Sequence, residues 1–173
     1  MGTSTAQGES DIAVIAENNI RLLEAQALEK DIRMNNHLTG PTLVFADHSH
    51  VDFVVRNLLS NAIKYSFQGG KIEIRKSDTG KAGLTAFSIS DNGIGIDNDT
   101  AEKLFRLDGQ SRLGTSGEKG TALGLIICKS FIEANGGNIR VESVKQKGTT
   151  FIFSLRQDRD DSDHTVSESG GLP

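Results

Sequence analysis

Asn57, Asn61 and Lys64 stand at i, i+4 and i+7 in a run of helix formers, and at roughly 100° per residue they share one strip about 60° wide. A carboxamide oxygen is a hard, neutral ligand for a divalent cation, and an ammonium one turn further on can lie against phosphate oxygens. Tyr65, at the edge of the strip, adds an aromatic face. Downstream comes a sharp glycine loop, Asp91-Asn92-Gly93-Ile94-Gly95-Ile96, where the missing Cβ atoms permit a tight turn and a close approach. Arg106 then follows Phe105, and a run rich in glycine, serine and charge (Gly109, Gly114, Gly117, Lys119, Gly120) ends in Gly120-Thr121-Ala122-Leu123-Gly124-Leu125. Each feature alone has an ordinary reading: the asparagines as solvated polar residues on a helix, Gly-x-Gly as a turn, Phe105 as a core aromatic. The ordered set, within about 70 residues, is hard to obtain by chance.

The elements around these residues are legible from periodicity. Residues 49–65 carry Val51, Val54, Val55, Leu58, Ala62 and Ile63 at helical spacing, an apolar face opposite the Asn/Lys strip, with Asp47 as the N-cap. Residues 71–77 and 84–90 read as strands joined at Gly80, and the glycine loop leaves the second of them. A short helix near 100–105 and an apolar helix over 123–134, stopped by Asn135-Gly136-Gly137, flank the stretch 106–120, whose composition predicts a mobile lid. Residues 30–38 and 42–46 read as strands around a turn at Thr39-Gly40-Pro41, and 138–144 and 149–155 as strands turning at Gly148. Residues 1–10 read as a leader or floppy end, 11–29 as a helical linker, 30–156 as the folded domain and 157–173 as a disordered acidic tail.

Composition bounds the function. At 173 residues and 36% apolar content the chain has one domain's worth of core. Its formal charge of -4 arises in the tail, where Asp158, Asp160, Asp161, Asp163 and Glu168 face Arg159 alone. The neutral body argues against general nucleic-acid binding. One cysteine, Cys128, forms no internal disulfide and reads as an inert core thiol, so nothing demands an oxidising compartment. The longest apolar run, 122–128, falls far short of the ~20 residues of a membrane span, and Ala6 breaks the myristoylation pattern that Gly2 suggests. The expected location is cytoplasmic, with no membrane contact from these residues. His48 and His50 follow a helix cap and read as structural, not as a metal pair.

The motifs NLLSNAIKYS (57–66), DNGIGI (91–96), LFRLD (104–108) and GEKGTALGL (117–125) resemble, in order, the asparagine box, first glycine box, phenylalanine box and second glycine box of the ATP-binding catalytic domain of sensor histidine kinases. That family shares a superfamily with gyrase, Hsp90 and MutL. The resemblance covers residues 22–155 and implies an α/β fold: a two-layer sandwich with a mixed sheet of about five strands packed on three helices, plus a flexible nucleotide lid. It implies ATP and Mg²⁺ as cofactors, with Asn61 as the metal ligand and Asp91 as acceptor of the adenine amine. Around the nucleotide it places Asn57, Lys64, Tyr65, Gly93, Gly95, Ile96 and Phe105, then Gly120, Thr121, Ala122, Leu123, Gly124 and Leu125. Asn57, Arg106 and Lys119 are the expected catalytic residues, the last two neutralising charge on the γ-phosphate during transfer.

Position 57 bears on the reaction class. The hydrolases of the superfamily place a glutamate there to activate water, whereas the carboxamide of Asn57 cannot act as a general base. The resemblance therefore implies a protein histidine kinase, with a nucleotide-binding sensor or scaffold of little catalysis as the alternative. The phosphoacceptor histidine of such kinases is followed by an acidic residue. Here His37, His48, His50 and His164 are followed by Leu38, Ser49, Val51 and Thr165, so the acceptor is expected on a separate dimerisation domain, with a response regulator as the indirect partner. Residues 11–29 would then be the end of the dimerisation hairpin or the linker leaving it.

The chain departs from the family pattern at Ala122, where a glycine is usual. A Cβ where the chain runs close to phosphates or needs a positive φ costs roughly 1–2 kcal/mol. Ala122→Gly is accordingly expected to tighten ATP binding about 5- to 30-fold with little change in stability. Equal dissociation constants for the two proteins would refute this.

Overall fold

A computed structural model describes residues 6–77, 79–106, 114–115 and 123–158. The chain runs β1 (Gln7–Asp11), α1 (Ile12–Glu29), β2 (Arg33–Asn36), β3 (Leu43–Asp47), α2 (His48–Tyr65), β4 (Lys71–Ser77), β5 (Leu84–Asp91), α3 (Asn98–Lys103), α4 (Leu123–Ala134), β6 (Ile139–Val144) and β7 (Gly148–Arg156). The strands form one mixed sheet in the order β1-β3-β7-β5-β4-β2, with β6 also paired to β7. Only the β2–β4 pair is parallel.

The expected α/β sandwich is present, with seven strands where about five were expected. β2 and β3 do not pair across the turn at Thr39-Gly40-Pro41. β2 joins β4 at one edge of the sheet, while β3 lies between β1 and β7 on the far side.

α1, α2 and α4 carry the helical half of that core. α2 is capped by Asp47, whose carboxylate accepts from the Ser49 and His50 amides, and it buries Val51, Val54, Val55, Leu58, Leu59, Ala62 and Ile63. Against these lie Ile12, Ile15, Ala16, Leu23 and Ala27 of α1, Leu125, Cys128 and Ile132 of α4, and Ile72, Ile74, Phe87, Ile89, Phe151, Phe153 and Leu155 of the sheet. The Cys128 thiol is buried, and burial pushes its pKa up to about 12, consistent with an inert core group.

The N-terminal expectations need correction. Residues 7–11 are not a floppy leader. They form an edge strand in register with β3 from Gln7↔Asp47 to Asp11↔Leu43. α1 is not a linker either, since it packs on α2 through its apolar face and through a polar clasp. In that clasp Asn19 donates to Asp52 Oδ1 at 2.9 Å and accepts from Arg56 Nε at 3.4 Å. The strand escaped notice because Gln-Gly-Glu-Ser-Asp has no alternating apolar pattern, and an edge strand is held mainly by its backbone ladder. The expected disordered tail falls almost wholly outside the described residues.

Among the described residues, no helix is long and apolar enough to cross a membrane. His50 is engaged in packing. Its ring stacks on Phe131 at 3.9 Å between centroids, and its Nδ1 lies 3.1 Å from the Asn135 amide nitrogen.

If β1 belongs to the fold, removing residues 1–10 must cost stability. It deletes the ladder to β3, the Ala6 amide bond to Asp47 at 2.8 Å and the Gln7 bond from Arg156 at 2.8 Å. The truncated chain is expected to lose about 1–3 kcal/mol in urea denaturation. An unchanged midpoint and slope would show that β1 contributes nothing.

Candidate nucleotide site

The polar strip of α2, the loop after β5 and the start of α4 come together at one end of the molecule. Asn57 and Asn61 are half-buried on α2, as the helical spacing predicts. Lys64 is only 8% exposed, its ammonium 5.0 Å from the centroid of the Tyr65 ring. The strip is therefore partly covered by the fold and not a fully solvated surface.

The start of α4 meets this wall directly. A Cβ on Gly124 would stand 2.3 Å from Asn57 Oδ1, so glycine lets the first turn of α4 lie against the carboxamide without displacing it. Helix amide groups are thereby brought beside Asn57, an arrangement suited to an anion. Leu123 is exposed and Leu125 buried, on opposite sides of the same turn.

The loop after β5 is fixed by backbone contacts on both sides. Gly93 N donates to Asp91 Oδ1 at 2.9 Å and Ile94 N to Tyr65 O at 3.0 Å. A Cβ on Gly93 would lie 2.0 Å from Tyr65 O, and one on Gly95, which has φ +63°, would lie 2.1 Å from Val144 O. Both glycines were expected to make room for a ligand. Here they make room for the protein's own carbonyls, those of the α2 terminus and of the β6–β7 turn.

That turn is the part of the site missed in the sequence. Gln146 N donates to Ile94 O at 2.7 Å, and Ser143 Oγ accepts from Ile96 N at 2.9 Å while donating to Gly148 O at 2.9 Å. Ile96 is buried beneath it. Nothing in the spacing of Ser143 or Gln146 marks them, because their role depends on a hairpin folding back onto a loop about 50 residues away.

Asp91 is half-buried at the end of β5, and its carboxyl is pushed up to about 6 by burial, against the lowering effect of the Gly93 and Thr149 amides. A carboxylate held half-dry is a strong acceptor for an N–H group.

Phe105 is half-buried and meets Phe151 edge-on at 6.3 Å between centroids, so its observed packing is against the core. Arg106 is exposed just beyond α3. Lys119, Gly120, Thr121 and Ala122 lie outside the described residues, as does most of the expected lid over 106–120.

The donor set fits a magnesium-bound nucleotide in chemical type. Among the described residues no cluster of three His, Cys, Asp or Glu could hold a metal, whereas neutral carboxamides beside a helix N-terminus suit a cation that arrives with its own phosphate ligands.

Comparison with known proteins agrees with this geometry. Residues 46–159 match the family described as histidine kinase-, DNA gyrase B- and HSP90-like ATPases. The sensor histidine kinase WalK of Bacillus subtilis is 37% identical over 110 residues, 63% of this chain and 18% of WalK. Cyanobacterial phytochrome B of Nostoc is 37% identical over 149 residues, 86% of this chain and 20% of that protein. The nucleotide-free catalytic domain of histidine kinase ThkA superposes with a TM-score of 0.74 at 26% identity, covering 88% of this chain and 97% of that one. ThkA in complex with the response regulator TrrA gives 0.68 at 25% identity, over 88% of this chain and 42% of that one.

The chain thus belongs to the histidine kinase-, DNA gyrase B- and HSP90-like ATPase family, and within it has the fold of a histidine kinase catalytic domain. It spans about a fifth of the length of both curated relatives.

The raised pKa of Asp91 has a consequence for stability. Its folded value of about 6 exceeds the ordinary 3.8, so the folded state binds more protons between the two, and stability falls as pH rises through that window. The ionised carboxylate costs the folded protein at most about 3 kcal/mol near neutral pH. Asp91→Asn keeps the acceptor for the Gly93 amide and removes the charge. It is expected to melt above the unaltered chain near neutral pH without nucleotide, the gap closing as pH falls toward about 4. A gap that is constant over this range would contradict the burial argument.

Proposed function

We propose that this chain is the catalytic module of a two-component sensor histidine kinase, binding ATP with Mg²⁺ and passing the γ-phosphate to a histidine on a separate dimerisation domain. The observation that supports the proposal is that the helix carrying Asn57 and Asn61 meets the first turn of α4 at Asn57 and the loop following Asp91 at Tyr65. Bound there, the nucleotide would supply the transferable phosphoryl group, and Mg²⁺ would neutralise its phosphate oxygens.

The residues of the chain divide the remaining work. Asp91 accepts from the exocyclic amine of the base, and the Tyr65 ring flanks it. Asn61 offers its carboxamide oxygen to the metal, and Asn57 holds the start of α4 so that its amide groups face the phosphates. Lys64 adds positive charge beneath them. Arg106 and Lys119 are assigned to the γ-phosphate during transfer. Asn57 lacks a proton-accepting carboxylate, so the site has no general base at the position where the hydrolases carry one, which favours transfer over attack by water. In ThkA the partner seen is a response regulator, and the same class of partner is proposed here. The domain is proposed to act on the cytoplasmic side.

Calorimetric titration with ATP and Mg²⁺ tests the reading. The unaltered chain is expected to bind, and Asn61→Asp and Asp91→Asn each to weaken binding by about tenfold or more. Unchanged affinity in both variants would remove the proposed site.

A further inference from the structure

The last turn of α2 ends with its carbonyls facing inward, and each is met by a different part of the chain. Ala62 O accepts from Ser66 Oγ at 2.6 Å, and Tyr65 O accepts from Ile94 N at 3.0 Å. The Ile63 and Lys64 carbonyls accept from Lys30 Nζ at 2.9 and 3.1 Å. Lys64 O also accepts from Thr115 N at 3.0 Å, and Ser66 O from Thr115 Oγ1 at 2.5 Å. Finally, Lys30 Nζ donates to Thr115 Oγ1 at 2.6 Å.

Lys30 is 8% exposed. A buried ammonium is costly unless its N–H groups find acceptors, and among the described residues the Ile63 and Lys64 carbonyls and Thr115 Oγ1 accept from it. Two are carbonyls at the negative end of the α2 dipole, which favours a cation there. The third is the side chain of Thr115, a residue 85 positions away in the glycine-rich stretch between α3 and α4.

We propose that Lys30 and Thr115 are positioning residues for the nucleotide site. Together they hold the C-terminal turn of α2, and with it the Lys64 and Tyr65 side chains, to a fixed point of the stretch leading into α4. This rests on the ATP-binding reading above. Neither residue touches the nucleotide in this account; both act through Lys64, Tyr65 and Ser66.

The test measures ATP affinity, with the melting temperature of nucleotide-free protein as a check on folding. Thr115→Val keeps the amide bond to Lys64 and deletes the hydroxyl. It is expected to weaken ATP binding about tenfold and to lower the melting temperature by a few degrees, since a buried ammonium loses an acceptor, and Thr115→Ser to restore affinity to within about twofold. Lys30→Met is expected to weaken binding at least as much. Adding Thr115→Val to it should cause no more than about twofold further loss, because the two residues share one contact. Amide exchange at Thr115 without nucleotide should be faster in Lys30→Met than in the unaltered chain.

If Lys30→Met does not fold, the Val and Ser variants at 115 decide. Equal affinity of Thr115→Val and the unaltered chain overturns this proposal alone. So does failure of Thr115→Ser to restore affinity, or full additivity in the double variant. If the unaltered chain does not bind ATP, the functional reading fails and this inference with it.

Discussion

A helix that ends inside a protein must have its last carbonyls satisfied, and the rest of this structure is arranged around that requirement at the end of α2. Four carbonyls, from Ala62 to Tyr65, point into the molecule where water does not satisfy them. They are met by the end of α1 through Lys30, by the glycine loop through Ile94 and by Thr115. The same contacts fix the backbone from which the Lys64 and Tyr65 side chains project. The chemistry that completes the helix therefore also fixes the floor of the site, and a residue far from any ligand can control its shape.

The loop after β5 shows the same economy. Asp91 ends a strand whose neighbours β4 and β7 are buried in the sheet, so its position is set by the ladder from Ile72↔Asp91 on one side to Asp91↔Thr149 on the other. The chain then turns between two walls of backbone, Tyr65 O and Val144 O, each close enough to exclude a Cβ. With Ser143 and Gln146 bracing the outer side, the loop is held by protein on both flanks, and the carboxylate is presented without needing a ligand to order it.

Holding these groups ready opposes stability. Asp91 sits where burial disfavours its charge, and Lys64 and Lys30 are buried cations. The core formed by α1, α2 and α4 against the sheet offsets that, with side chains such as Leu58, Phe87 and Phe153 fully buried beneath the site. The polar clasp of Asn19, Asp52 and Arg56 serves a different end, fixing α1 against α2 in one register.

The sequence by itself determined the elements and the types of group at the site. The 3.6-residue rhythm of α2, the alternation of β5 and β7 and the four ordered motifs are local patterns, and local patterns survive in one dimension. Tertiary structure alone decided what depends on distant pieces of chain meeting. The edge strand β1 has no apolar signature because its bonds are to backbone. The burial of Lys64 could not be read from its own helix, where nothing shows the packing that covers it. Gly93, Gly95 and Gly124 could be read as special, but the sequence could not say that what they must avoid is Tyr65 O, Val144 O and the Asn57 carboxamide. Lys30 and Thr115 carried no signal at all, since a hydrogen bond spanning 85 residues is a property of the folded chain, formed only once the core has brought its two ends together.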